Sequence, residues 1–169
     1  MTSSLSTPGA APLGPAARQG NTAFATSVAL LLVRLALGWT FIYHGYQLVF
    51  VFGAEKFAEN LHLPVLPEIV WAYMAVWGQL LGGIGVCVGA LARLWALPLI
   101  VNMLVAIATV HEPYGFALPK GYEYNVNLIA ECLVVLIAGP GLISVDAFLF
   151  RRGLWARGAQ PLDQPIRRT

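Results

Sequence analysis

Four strongly polar residues stand near the middle of otherwise apolar segments of this chain: Arg34, Gln79, Asn102 and Glu131. A charge deep in hydrocarbon is costly, so such residues usually face a protein interior or a cavity and find a partner there. Arg34 could hold an anionic or carbonyl oxygen, Gln79 and Asn102 could orient a ligand, and Glu131 could transfer a proton. A structural alternative stays open, in which an Arg34–Glu131 ion pair only fixes the register of the helices.

The segments that must position these residues have the composition of membrane spans. The 169 residues are 58% hydrophobic and only 11% charged, whereas a soluble domain carries about 25% charged residues. A span needs ~20 apolar residues, and we place four of them at about 24–52, 69–91, 93–110 and 124–138. A short amphipathic helix over about 54–61 connects the first two. The predicted fold is therefore all-α, an integral membrane four-helix transmembrane bundle with a short amphipathic connector helix.

The four polar residues are expected to meet at one depth. A helix rises ~1.5 Å per residue and the apolar core of a bilayer is ~30 Å thick, which places all four near the midplane. Each also lies on a face of small or polar residues, such as the stripe of Arg34, Gly38 and Gly45 in the first span. Small faces pack inward in membrane bundles, so the sequence predicts one buried polar cluster.

A second polar layer lies near the outer ends of the predicted spans. His44 could relay protons at neutral pH, and Tyr124 and Asn127 share the Glu131 face as candidate ligand-binding residues. The tyrosines could equally form an interfacial aromatic belt. A haem held by two histidines is a further alternative, although His111 points ~180° away from Asn102 on an ideal helix. The layer comprises Tyr43, His44, Gln47, His111, Glu112, Tyr122, Tyr124, Asn125 and Asn127.

Several classes of site are disfavoured by the sequence. It contains no zinc-type pattern of cysteine and histidine, no phosphate-cradling glycine loop and no nucleophile elbow, so we predict no metal site. Cys87 and Cys132 lie inside apolar runs, where cysteine most often acts as a small buried hydrophobic residue. The net charge of +2 offers no basic surface for nucleic acid.

The basic residues predict the orientation of the chain in the membrane. We divide the chain into a flexible tail (1–22), a membrane domain (23–150) and a basic cytoplasmic tail (151–169). With both termini in the cytoplasm, the outer side carries only Lys56 and Lys120, which satisfies the positive-inside rule. The inner side then holds the basic residues Arg18, Arg93, Arg151, Arg152, Arg157, Arg167 and Arg168.

Four pieces of sequence, in this order and spacing, resemble the DoxX family of small four-span bacterial membrane proteins. They are LLVRLALGWTFIYHGYQL, GQLLGGIGVCVGALARLWAL, GYEYNVNLIAE and GPGLISVDAF, and the resemblance runs from about residue 28 to 148. The chain departs from our picture of the family at Gln79, where the family carries a glutamate. This departure leaves Arg34 and Glu131 as a neutral pair and argues against a proton scheme with two carboxylates.

The resemblance implies a role at a bacterial inner membrane. DoxX-like proteins are linked with membrane oxidoreductase assemblies, and the related DoxD resembles the large subunit of thiosulfate:quinone oxidoreductase. We therefore expect a subunit of a redox-linked system that handles a quinone or a small oxidised-sulfur compound. No intrinsic cofactor is expected beyond a bound quinone, and partners would be the lipid bilayer and another protein or further copies of this chain. The alternative is a non-catalytic accessory or anchoring subunit that docks a larger membrane complex.

Overall fold

The computed structural model describes residues 15–59, 61 and 66–151, and all regular elements within these ranges are helical. Two π-helical segments, with one wider turn each, continue the first and fourth α-helices: Gln47–Phe52 and Ile107–His111. A short 3₁₀ helix, Glu112–Tyr114, follows the second π-helical segment. The α-helices are α1 (Pro15–Tyr46), α2 (Ala54–Ala58), α3 (Glu68–Val88), α4 (Ala92–Ala106), α5 (Glu123–Ala138) and α6 (Val145–Arg151).

Three helical stretches are long and apolar enough to cross a membrane: Gln19–Phe52, Glu68–Val88 and Ala92–Tyr114. They coincide with the first three predicted spans. Their outer faces carry bulky exposed side chains such as Leu32 and Trp39, which suits contact with lipid. The 16 residues of α5 give a helix of only ~24 Å, shorter than the ~30 Å apolar core. The fourth span therefore stays a prediction.

The helix boundaries refine two of the predictions. α1 begins at Pro15, earlier than the predicted start near residue 24, because proline suits the first position of a helix and alanine, arginine and glutamine extend it. Residues 15–22 are thus helical, while the rest of the two predicted tails, 1–14 and 152–169, lies outside the described residues. The predicted connector helix corresponds to α2, whose alanines are buried and whose charged residues are exposed.

Glycines bring α1 and α3 into direct contact of their backbones. A methyl group on Gly38 would lie 2.7 Å from the Gly83 carbonyl oxygen, and one on Gly45 would lie 2.7 Å from the Leu80 nitrogen. No side chain fits between the helices at these points, so the backbones approach as closely as small residues allow. This confirms the prediction that the stripe of Arg34, Gly38 and Gly45 faces the protein interior, where the glycines pack against α3.

A tight turn joins α3 to α4. Gly89 ends α3 with φ +71°, and the Ala90 N–H donates to the Gly85 carbonyl at 2.9 Å, the pattern of a Schellman C-cap. The Asp146 carboxylate then accepts from the backbone nitrogens of Leu91 at 2.9 Å and Ala92 at 3.4 Å. This carboxylate satisfies N–H groups at the start of α4 that have no partner within the helix.

The two ends of the bundle differ in the segments that they carry. The "turn end" carries the α3–α4 turn and the segment 139–144 that precedes α6; the "loop end" carries the two π-helical segments and the loop 115–122. Between the ends, an apolar core joins α1, α3, α4 and α5. It consists of Leu37, Phe41, Val86, Ala92, Ala96, Leu99, Met103, Leu128, Cys132 and Val135.

Candidate functional site

A cavity of about 560 Å³ opens between α1, α3, α4 and α5 at the loop end. This volume lies within the ~300–1,000 Å³ range typical of small-molecule sites. Both π-helical segments contribute to its wall, as do α2 and the loop before α5. Aromatic and aliphatic side chains form most of the lining, including Phe41, Leu48, Phe52, Phe57, Leu61, Trp71, Met74, Val101, Val105, Leu118 and Leu128.

Four amide side chains supply polar groups to this apolar cavity, and one of them, Gln47, donates from Nε2 to the Tyr43 hydroxyl at 2.9 Å. Gln79 is only 6% exposed and lines the cavity; in the described part of the chain its amide has no hydrogen-bond partner. Asn125 is 5% exposed, and its Nδ2 contacts the Met103 sulfur at 3.5 Å. Asn102 donates from Nδ2 to the Ala75 carbonyl at 3.0 Å, which ties α4 to α3. Buried amides normally find partners, so Gln79 marks a point where a ligand could bind.

Two histidines also line the cavity. The Nδ1 atom of His111 lies 2.8 Å from the Lys120 carbonyl oxygen. The His44 ring lies beside the ring of Tyr124, with 6.4 Å between their centroids, and has no hydrogen-bond partner among the described residues. His44 and Tyr124 were both predicted as site residues, and the structure brings them together with Gln79 and Asn102 in this one cavity.

The second π-helical segment explains why His111 faces the cavity. On a regular helix, the nine residues from Asn102 to His111 would turn the side chain ~180° away. A π-helical turn holds an extra residue and sets the following residues back by up to ~100°. His111 consequently shares the cavity with Asn102, Ala106 and Thr109.

No carboxylate, ammonium or guanidinium group stands among the described side chains of the cavity wall. Among the described residues that line it, none is Asp, Glu, Lys or Arg. Transfer of an ion from water into such a place is strongly unfavourable without a counter-charge. The cavity is therefore suited to a neutral ligand that is mostly apolar and carries a few hydrogen-bonding atoms.

Arg34 lies at the opposite end of the bundle. Its side chain is fully buried, its Nη2 donates to the Ile143 carbonyl, and its guanidinium packs against Gly89 at the α3–α4 turn. Gly89 is ten residues beyond Gln79 on α3, a rise of ~15 Å. The Nε and Nη1 atoms have no partner within the described part of the chain. The predicted single cluster around Arg34 is thus wrong in its geometry.

Glu131 and Asn127 also lie outside the cavity lining. The buried face of α5 consists of Asn125, Leu128, Cys132 and Val135, one position away from the predicted face of Tyr124, Asn127 and Glu131. Asn127 is exposed and Glu131 half-buried, and no ion pair joins Glu131 to Arg34, both of which are described residues. The two side chains diverge because helical side chains lean toward the N-terminus of their own helix, and α1 and α5 run in opposite directions.

Some cavity residues stood in the predicted outer layer without being chosen as site residues. These are Gln47, His111 and Asn125. The periodic run of Asn125, Leu128, Cys132 and Val135 was a readable sequence signal for the inner face of α5. The inward position of His111 had no such signal, since it depends on the π-helical turn. Within the described residues, no group of three or more His, Cys, Asp or Glu side chains comes together as a metal site.

Comparison with known protein families identifies the chain. Residues 29–112 match the family model described as DoxX. The chain belongs to the DoxX family. No curated protein and no solved structure matches it. The DoxX match covers most of α1, all of α3 and α4 and the second π-helical segment, and so includes Gln79, Asn102, His44 and His111. The α5 residues of the cavity lie beyond the matched range.

Proposed function

We propose that this DoxX protein binds a membrane quinone in the cavity at its loop end, as a subunit of a redox-linked membrane system. The observation that carries the proposal is the Gln79 side chain, which is only 6% exposed and lines an apolar cavity whose described lining residues carry no Asp, Glu, Lys or Arg. A quinone head has carbonyl oxygens that accept hydrogen bonds, joined to a hydrocarbon body. Amide N–H groups supply the donors, and the aromatic and aliphatic lining accommodates the ring and part of the chain.

The same lining favours a quinone over an oxidised-sulfur anion. An anion in this cavity would lose its hydration and find no Lys or Arg among the described lining residues. The guanidinium of Arg34, which could attract an anion, lies at the turn end. Arg34 is therefore not part of the proposed ligand site, and the donor contacts to the quinone carbonyls fall to Gln79, Asn102, Asn125 and His44.

The redox part of the proposal requires a second protein. Reduction of a quinone takes up two electrons and two protons, and we assign the electron donor to a partner subunit that carries a redox centre. His44 stands at the cavity wall beside Tyr124 and is our candidate for proton exchange with the quinone. The alternative role, a non-catalytic anchor for a larger complex, does not need the cavity at all.

Quinone binding can be tested with a matched pair of amide variants. The protein is purified in mild detergent, its lipids are extracted for mass spectrometry, and binding of a decyl-substituted benzoquinone is titrated. Gln79→Leu should weaken binding by about tenfold, because a hydrogen-bond donor to the carbonyl is lost. Its fold should persist, since no group in the described part of the chain forms a hydrogen bond with the Gln79 amide. Asn127→Leu removes an exposed amide outside the cavity and serves as the control.

The outcomes separate the candidate functions. Unchanged affinity in Gln79→Leu, or equal losses in both variants, would show that the cavity does not hold the quinone head. A Soret band in the purified protein would instead support a haem between His44 and His111. Stable copurification with a partner whose activity survives Gln79→Leu would support the anchoring role.

A further inference from the structure

His111 offers the cavity an acceptor rather than a donor. Its Nδ1 lies 2.8 Å from the Lys120 carbonyl oxygen. A carbonyl oxygen only accepts hydrogen bonds, so Nδ1 must carry the hydrogen. In the neutral imidazole the other nitrogen, Nε2, then has a lone pair and no hydrogen. The backbone of the loop before α5 thereby fixes the tautomer of a side chain that lines the cavity.

Most other polar groups of the cavity do not share this restriction. The amides of Gln47, Gln79, Asn102 and Asn125 each carry both a donor group and an acceptor group. His44 has no hydrogen-bond partner in the described structure, so either of its nitrogens can carry the hydrogen. Thr109 is the exception, because its hydroxyl donates to the Val105 carbonyl at 2.9 Å and leaves only lone pairs for a ligand. The fixed acceptors among the described lining side chains are therefore Thr109 and His111, which both lie on the second π-helical segment.

We propose that His111 makes the cavity selective for a ligand whose polar end donates a hydrogen bond, a phenolic hydroxyl such as that of a quinol. This inference rests on the proposed function and specifies the form of the ligand. A hydroxyl donates to Nε2, whereas a carbonyl oxygen would face its lone pair without a hydrogen between them. The reduced ligand binds more tightly than the oxidised one, and the difference arises at His111.

The contact between His111 Nε2 and the ligand can be removed while the hydrogen bond to the Lys120 carbonyl is kept. The Nδ2 of an asparagine occupies nearly the same place as Nδ1 of a histidine, since both nitrogens are attached to Cγ. His111→Asn can therefore keep the bond to the Lys120 carbonyl while it removes Nε2. His44→Asn is the matched control, because it removes a cavity histidine whose tautomer is not fixed.

The test compares two forms of one ligand. Affinities for decyl-benzoquinone and for its borohydride-reduced quinol are measured anaerobically in the same buffer at pH 8. The wild type should prefer the quinol by roughly three- to tenfold, the contribution of one neutral hydrogen bond. His111→Asn should lose this preference while it retains quinone affinity, and His44→Asn should keep the preference. Circular dichroism confirms that each variant is folded.

Three other results would contradict the selectivity of His111 or the binding of quinone. If both forms bind and His111→Asn leaves their ratio unchanged, the selectivity inference is wrong while quinone binding stands. If the wild type binds the two forms equally, His111 does not contact the polar end and the inference is again wrong. If neither form binds the wild type, both the proposed function and the inference are refuted.

Discussion

Replacing Gly83 with alanine tests the close approach of the α1 and α3 backbones. A methyl group at this position would lie 2.8 Å from the Ile42 nitrogen, 2.9 Å from the Gly38 oxygen and 3.0 Å from the Phe41 Cβ. Ordinary contacts of a Cβ atom begin at 3.4 Å. Two of the three atoms are backbone and cannot rotate away, so the helices must separate by about 0.6 Å, the difference between 3.4 and 2.8 Å.

This separation has a predictable cost. Extra methylene groups in a well-packed interior destabilise proteins by ~1–3 kcal/mol, and we expect a loss in this range for Gly83→Ala. Gly20→Ala is the control, because no atom lies within 4 Å of its added methyl group. In that exposed stretch of α1, alanine should be neutral or stabilise the helix by up to ~1 kcal/mol, because glycine loses more backbone entropy.

The free energy of unfolding can be measured by titration of sodium dodecyl sulfate into protein held in a mild nonionic detergent. Tryptophan fluorescence and helical circular dichroism should report the same transition. We expect the midpoint of Gly83→Ala to fall below that of the wild type, and that of Gly20→Ala to stay level or rise. Equal midpoints for the two variants would refute the close contact of the α1 and α3 backbones at this position.

Two predictions concern the turn end. Asp146→Ala should destabilise the protein by ~0.5–2 kcal/mol, because the first N–H groups of α4 lose their acceptor. Asp146→Asn keeps one side-chain oxygen as an acceptor, so its free energy of unfolding should fall by less in the same titration. Equal losses of unfolding free energy in both variants would contradict the role of the Asp146 carboxylate as a cap of α4. Arg34→Met should change the affinity for quinone by less than about twofold, or ~0.4 kcal/mol, because Arg34 lies outside the cavity. A folded Arg34→Met protein that no longer binds quinone would overturn our placement of the site.

Sequence patterns predicted the packing faces of α1 and α3 well, whereas the buried face of α4, with Leu99 and Met103, is one position away from the predicted face of Asn102 and Ala106. The small residues of α1 recur at helical spacing, and their burial against α3 follows from the need of glycine faces to pack closely. Gln79 and Asn102 were correctly placed near one another, because their neighbours on each helix are small. In α5 two adjacent faces both carry polar residues, so polarity alone pointed to Glu131 and Asn127 instead of Asn125.

The remaining errors have geometric causes that a helical wheel omits. Arg34 stands on the predicted face of α1, but its long side chain leans toward the N-terminus of its helix and reaches Gly89. The register of the two helices also places it there, because Gly45 lies against Leu80 and Gly38 against Gly83, so that position 34 faces the end of α3. The position of His111 could not be foreseen for a different reason, because a wheel with ~100° per residue cannot represent a π-helical turn.

The second π-helical segment, Ile107–His111, also decides how the cavity responds to a change in chain length. Its wider turn holds one residue more than an α-helical turn. A deletion of one residue between Ala106 and His111 would allow a regular α-helix to form, with the histidine eight residues after Asn102, at ~80° from it on the helix. The imidazole would then stay on the cavity side, whereas nine residues wound as a regular α-helix would turn it ~180° away. The cavity therefore tolerates the loss of the extra residue but not the loss of the π-helical turn while that residue is present.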